Sequence, residues 1–100
     1  VAMTNAVPAA KTANYTALDS DYVIIFNSAS QLTLTLLSAA SYPGKTLWVK
    51  SISTGGVISA ATNVYPRTTG TLGTTICSTT AGSWAMLVSD GTNWVTMAGA

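Results

Sequence analysis

The stretch Leu87-Val88-Ser89-Asp90-Gly91-Thr92-Asn93-Trp94-Val95 constrains the chain most. Apolar residues alternate into it, Asp90-Gly91 interrupts it, and alternation resumes behind it. An Asp-Gly pair between two alternating runs is a strong hairpin signal, because glycine adopts positive φ with no Cβ clash. On the incoming strand Trp84, Met86 and Val88 share one face, and Ala85 and Leu87 share the other. On the outgoing strand Trp94 and Thr96 face one way, Val95 and Met97 the other. This spacing predicts a closing β-hairpin in which Trp84, Asp90, Gly91 and Trp94 serve turn and core, the two tryptophans being the large apolar anchors.

The same period of two recurs upstream. Tyr15 and Ala17 oppose Thr16 and Leu18. Tyr22-Val23-Ile24-Ile25-Phe26 is a continuous β-branched and aromatic run, which suits a strand covered on both faces by a second sheet or a partner chain. Gln31 to Leu36 alternates cleanly, with Leu32, Leu34 and Leu36 on the core side. Pro43-Gly44 is a type II turn signal. Behind it, Leu47, Val49 and Ser51 oppose Thr46, Trp48, Lys50 and Ile52. Thr54-Gly55-Gly56 is a turn, and Val57-Ile58 opens a short strand. Ala60 to Gly73 reads as a loop with one short edge strand, because Pro66 is poorly tolerated in a central strand. Thr74 to Ser78 is a further strand. Strands at about ten-residue spacing with turn signals between them predict an all-β fold, a small antiparallel β-sandwich or jelly-roll-like domain of about eight short strands. The predicted limits are an N-terminal arm or linker over 1–12, a single β domain over 13–97 and a short tail over 98–100.

Charge narrows the choice of partners. Only 7% of the residues are charged, against a usual share of about 25%. There is no Glu and no His, and the net charge is +1. No basic field exists to hold nucleic acid or an anionic membrane. No run reaches the roughly 18 apolar residues of a membrane span, and no signal peptide is evident. The start at Val1 suggests a fragment or processed product. A nearly uncharged surface is a liability for a free monomer and is relieved by burial between subunits, so a homo-oligomer is expected. The single Cys77 reads as a small buried thiol, with pairing between chains as the alternative.

The chemistry on offer is sparse. Without His, neither a Ser-His-Asp nor a Cys-His arrangement can be built, and a metal site lacks its commonest nitrogen ligand. Asp19 and Asp21 could flank a Ca²⁺ with Asn27, but dense carboxylate spacing is missing. Asp90 sits in a tight turn and is read as capping its own backbone. Gly55-Gly56 lacks the Lys and helix of a phosphate loop. The expectation is no catalytic residue, no metal and no cofactor. Trp48, Trp84, Trp94 and Tyr65 could form a sugar-stacking platform, although in-strand tryptophans of a small β domain serve core or subunit interface more often. Tyr65 and Arg67, on the irregular loop, are the candidate receptor or glycan contacts.

Several stretches resemble a β-rich module of bacteriophage tail fibres and tailspikes. They are Tyr15-Thr16-Ala17-Leu18-Asp19-Ser20-Asp21-Tyr22-Val23-Ile24-Ile25-Phe26-Asn27, Leu32-Thr33-Leu34-Thr35-Leu36, Pro43-Gly44-Lys45 leading to Val49-Lys50, and Leu87-Val88-Ser89-Asp90-Gly91-Thr92-Asn93-Trp94. The closing Ser-Asp-Gly-Thr-Asn-Trp hairpin is the most distinctive part. Leu37-Ser38 replaces the Pro that often ends the second strand, and Thr54 to Thr80 matches only loosely. The resemblance implies an extracellular virion protein of the phage tail, usually a homotrimer. It would act as a stem segment or a receptor-binding knob for a bacterial surface glycan or outer-membrane protein. A secreted carbohydrate-binding, lectin-like module is the alternative.

Overall fold

The structure, a computed structural model, describes residues 9–100. It is all-β, with nine short strands: β1 Tyr15–Thr16, β2 Val23–Phe26, β3 Leu32–Thr35, β4 Thr46–Ser51, β5 Val57–Ser59, β6 Val64–Tyr65, β7 Thr75–Cys77, β8 Trp84–Ser89 and β9 Trp94–Gly99. They form a four-stranded sheet ordered β1-β3-β5-β7 and a five-stranded sheet ordered β2-β4-β8-β9-β6. From β1 to β8 the chain alternates strictly between the two sheets. Odd strands enter one and even strands the other.

This winding corrects the antiparallel expectation. Both sheets are mixed. Four pairings are parallel, β1 with β3, β2 with β4, β3 with β5 and β6 with β9. Three are antiparallel, β4 with β8, β5 with β7 and β8 with β9. A chain that crosses to the opposite sheet and returns re-enters the first sheet in its original direction. Tight turns join such strands across the layers rather than within one sheet. Only β8 and β9 are consecutive and paired, and they form the predicted hairpin.

The inward residues of both sheets make one core. The five-stranded sheet gives Ile24, Phe26, Leu47, Val49, Leu87 and Trp94, and the four-stranded sheet gives Leu32, Leu34, Val57, Ile76 and Cys77. Alternation places these side chains as the sequence indicates: β4 reads exposed or half-buried at Thr46, Trp48 and Lys50, and buried at Leu47, Val49 and Ser51. Of the two tryptophans of the hairpin, only Trp94 enters the core, with no exposed surface. Trp84 lies on the outer face with Met86 and Val88, because Ala85, Leu87 and Ser89 take the inward positions.

Local chemistry fixes the turns. Lys45 N donates to Tyr42 O at 3.1 Å around Pro43-Gly44, and Gly44 has φ +80°, the type II geometry. Residues 1–8 of the expected arm lie outside the described residues. Lys11 forms a parallel bridge with Phe26 beside β2. At the other end β9 continues through the expected tail to Gly99, with a register shift opposite Met86 and Leu87 that sets Met97 apart from the ladder.

Candidate functional site

The closing hairpin is held by its own side chains. Asp90 Oδ1 accepts from Thr92 N at 2.9 Å and from Asn93 N at 2.7 Å, and Gly91 turns the chain with φ +90°. These backbone donors hold the Asp90 carboxyl below its usual pKa. Ser89 Oγ donates to Ala39 O at 2.8 Å, and Trp94 Nε1 donates to Leu37 O at 2.9 Å. The Ser89 hydroxyl, Asp90 Oδ1 and the Trp94 indole N–H are thus engaged within the fold, while Thr92 is exposed.

The other carboxylates are separated in role. Asp21 is buried and accepts at Oδ2 from Tyr15 Oη at 2.7 Å and from Leu18 N at 2.8 Å. Its hydrogen bond to the phenol raises the Tyr15 pKa to about 12. Asp19 is exposed, and its backbone carbonyl receives Lys45 Nζ at 3.0 Å. Among the described residues no group of three His, Cys, Asp or Glu lies close enough to hold a metal ion. Cys77 is buried with its Sγ 3.7 Å from Val49 O, and burial pushes its thiol pKa up to about 12.

Tyr65 and Arg67 do not converge on one cleft. Tyr65 is half-buried on β6 opposite Val95, which sets it on the outer face of the five-stranded sheet. Arg67 is exposed and lines a cleft of about 150 Å³ with Thr75, Ser78, Ser83 and Trp84. Paired backbone hydrogen bonds between Val64 and Gly73, at 2.7 and 3.0 Å, close the loop that carries Arg67.

Two larger concave surfaces flank β2 and β4. One is an open groove of about 550 Å³ on the outer face, lined by Val23, Ile25, Trp48, Lys50 and Trp84. Trp48 and Trp84 stack there with ring centroids 5.9 Å apart and planes at 24°. The β4–β8 register explains this contact: Trp84 lies opposite Lys50, so Trp48 is its diagonal neighbour. The other is an open cleft of about 750 Å³ lined by Asp19, Tyr22, Tyr42, Pro43 and Lys45. Lys45 Nζ sits 4.1 Å from the centroid of the Tyr22 ring, a cation–π distance. Sequence reasoning missed this second cleft because it read Tyr42 to Gly44 as turn chemistry and Lys45 as the start of the next strand. The parallel pairing of β2 with β4, which brings Tyr22 O to 2.8 Å from Trp48 N, has no signal in periodicity.

No protein-family model matches the chain, and neither a curated protein nor a solved structure matches it.

Proposed function

We propose that the chain is a structural module of a bacteriophage tail fibre or tailspike. In this reading it is a homotrimeric stem segment or receptor-binding knob at the host-contacting end of the virion. The observation that carries the reading is the build of Ser89 to Trp94, the most distinctive stretch of the resemblance. The Asp90 carboxylate, the Ser89 hydroxyl and the Trp94 indole N–H are spent on the chain's own backbone. Side chains so used support a scaffold role, as a fibre module requires. The low charge of the chain supports subunit association on separate grounds. Tyr65 and Arg67 remain the proposed contacts to a bacterial glycan or outer-membrane protein. The reading assigns no catalytic step to the chain, and glycan turnover abolished by Asp19→Asn or Asp21→Asn would overturn that.

The solution mass by light scattering tests the proposal. A mass near three times 10.2 kDa is the expected result, and a clean 10.2 kDa species would sink it. The exposed Trp48 beside Trp84 favours the second reading, a monomeric lectin-like module, on one point: an aromatic pair lies open on a sheet face. That reading requires a monomer whose tryptophan quenching is relieved by added saccharide.

A further inference from the structure

We infer that the cleft beside Arg67 is a subsite for one acidic sugar unit, a hexuronate held through its carboxylate. The assignment rests on the reading above of Arg67 as a surface-glycan contact and names the chemical class of that ligand. The walls are β7, the loop between β6 and β7, and the adjacent ends of β8 and β9. Pairing along the hairpin explains the opening. Thr96 lies opposite the buried Leu87 and so faces inward. The next inward pair, Ala85 and Gly99, carries almost no side chain to fill the space. Tyr65 is outside this lining.

Two groups in the cleft are unmatched. Thr96 Oγ1 is buried with no hydrogen-bond partner among the described residues, a rare state for a buried hydroxyl. Arg67 is exposed, and none of the chain's three carboxylate side chains, Asp19, Asp21 and Asp90, lines the cleft to neutralise it. A carboxylate carries the one charge that a single guanidinium matches, and the two planar groups meet through two parallel N–H···O bonds. A phosphate dianion is served less well, because no Lys or second Arg lines the walls. The hydroxyls of Thr75, Ser78 and Thr96 both donate and accept, as the hydroxyls of a sugar ring do. Ser83 anchors the segment that carries one of them: its Oγ accepts from Ser78 N at 2.9 Å and donates to Ala100 O at 2.8 Å. Size limits the ligand. A cleft of about 150 Å³ lies below the about 300–1,000 Å³ typical of drug-sized ligands, so it takes one terminal unit and not a stretch of chain.

The test titrates the intact chain with galacturonate, glucose and glucose 6-phosphate and follows the amide NMR spectrum. The expected result is saturable shifts at Thr75, Ser78 and Thr96 with galacturonate, and affinities about tenfold or more weaker for the other two sugars. Added salt weakens the galacturonate complex, because the contact is between charges. Arg67→Gln lowers the galacturonate affinity about tenfold or more, and Thr96→Val about twofold to tenfold. Tyr65→Phe, on the outer sheet face, binds as the wild type does. Thr96→Val deletes an unpaired hydroxyl, so its melting temperature is equal to or above that of the wild type; a marked fall would make the hydroxyl a structural group and overturn the inference. Tighter binding of the phosphate, or unchanged affinity in Arg67→Gln or Thr96→Val, would also overturn it. A chain of multiple mass that shows no galacturonate shifts overturns the subsite while the fibre reading stands. Saturable binding by a 10.2 kDa monomer supports the subsite and removes the trimer.

Discussion

The indole Nε1 of Trp94 donates to the carbonyl oxygen of Leu37 at 2.9 Å, a bond between positions 57 residues apart. It ties the first residue of β9 to the segment that follows β3 in the opposite sheet. Trp94 is fully buried, so its ring packs the core while its N–H holds the two layers in register.

Trp94→Phe keeps an aromatic ring and removes the donor. The Leu37 carbonyl loses its partner and a void opens beside it. The expected loss is about 1–3 kcal/mol, and for Trp94→Ala about 3–5 kcal/mol. Urea unfolding followed by far-UV circular dichroism measures both.

Asp21 and Tyr15 make a second test, in alkali. Tyr15 has its phenol raised from 10.0 to about 12 by donating to Asp21. The neutral phenol is therefore favoured in the folded chain. Its contribution is intact below pH 10 and is lost as pH rises through about 12. The difference in phenolate absorbance between wild type and Tyr15→Phe isolates this group. In Asp21→Asn its midpoint moves back towards 10. Asp21→Ala leaves both Tyr15 Oη and Leu18 N without their acceptor and costs about 1–3 kcal/mol.

Cys77 is a buried thiol 3% exposed, with its pKa raised from 9.0 to about 12. The thiolate is the reactive form, so native Cys77 resists alkylation near neutral pH. The expected labelling rate with a maleimide tracks unfolding and rises steeply across the urea transition. Fast labelling of the folded chain would contradict the burial. As with Tyr15, the neutral form favours the fold, and that contribution is lost between pH 9 and about 12.

Two glycines separate strain from space. Gly91 has φ +90°, and the nearest atom to an added Cβ is Pro43 Cβ at 3.8 Å. Gly91→Ala thus costs about 1–2 kcal/mol through the left-handed backbone alone, and Gly91→Asn costs less. Gly55 is not in the left-handed region, yet a Cβ there would collide with the carbonyl oxygens of Ser28 and Ser30. Backbone cannot step aside as a side chain can, so Gly55→Ala costs about 3 kcal/mol or more. The order of the two melting temperatures checks the argument, and a Gly91 variant less stable than the Gly55 variant would refute it.

Much of the local structure was legible in the residues. The alternation of Leu32 to Leu36, the two faces of Thr46 to Ile52, the Pro43-Gly44 turn and the closing hairpin are all nearest-neighbour properties. Partner choice is not. Nothing in the run Tyr22 to Phe26 states that it pairs in parallel with β4. Period two also leaves open which face turns inward. Trp84 outweighs Ala85, yet the alanine is buried, because on its face Leu87 pairs with buried Leu47 of the adjacent strand and Ser89 donates to Ala39 O. Tyr65 and Arg67 were proposed as contacts from loop chemistry, and the fold sets Tyr65 on β6 and Arg67 in the following loop, whereas the Tyr22 and Tyr42 cleft depends on long-range pairing and left no mark in the sequence.

The strict alternation between sheets also governs the order in which the molecule can be completed. Each sheet needs strands from early and late in synthesis, and such non-local topologies fold in milliseconds to seconds. β6 has no earlier strand to pair with: its ladder partner is β9, which is made about 30 residues later, or roughly 2–6 s at 5–20 residues per second. During that interval Val64–Tyr65 waits without its strand, and a neighbouring nascent copy can offer a β9 of its own. The hairpin of β8 and β9, made after β6, therefore decides whether the sheet closes within one chain or is exchanged between two.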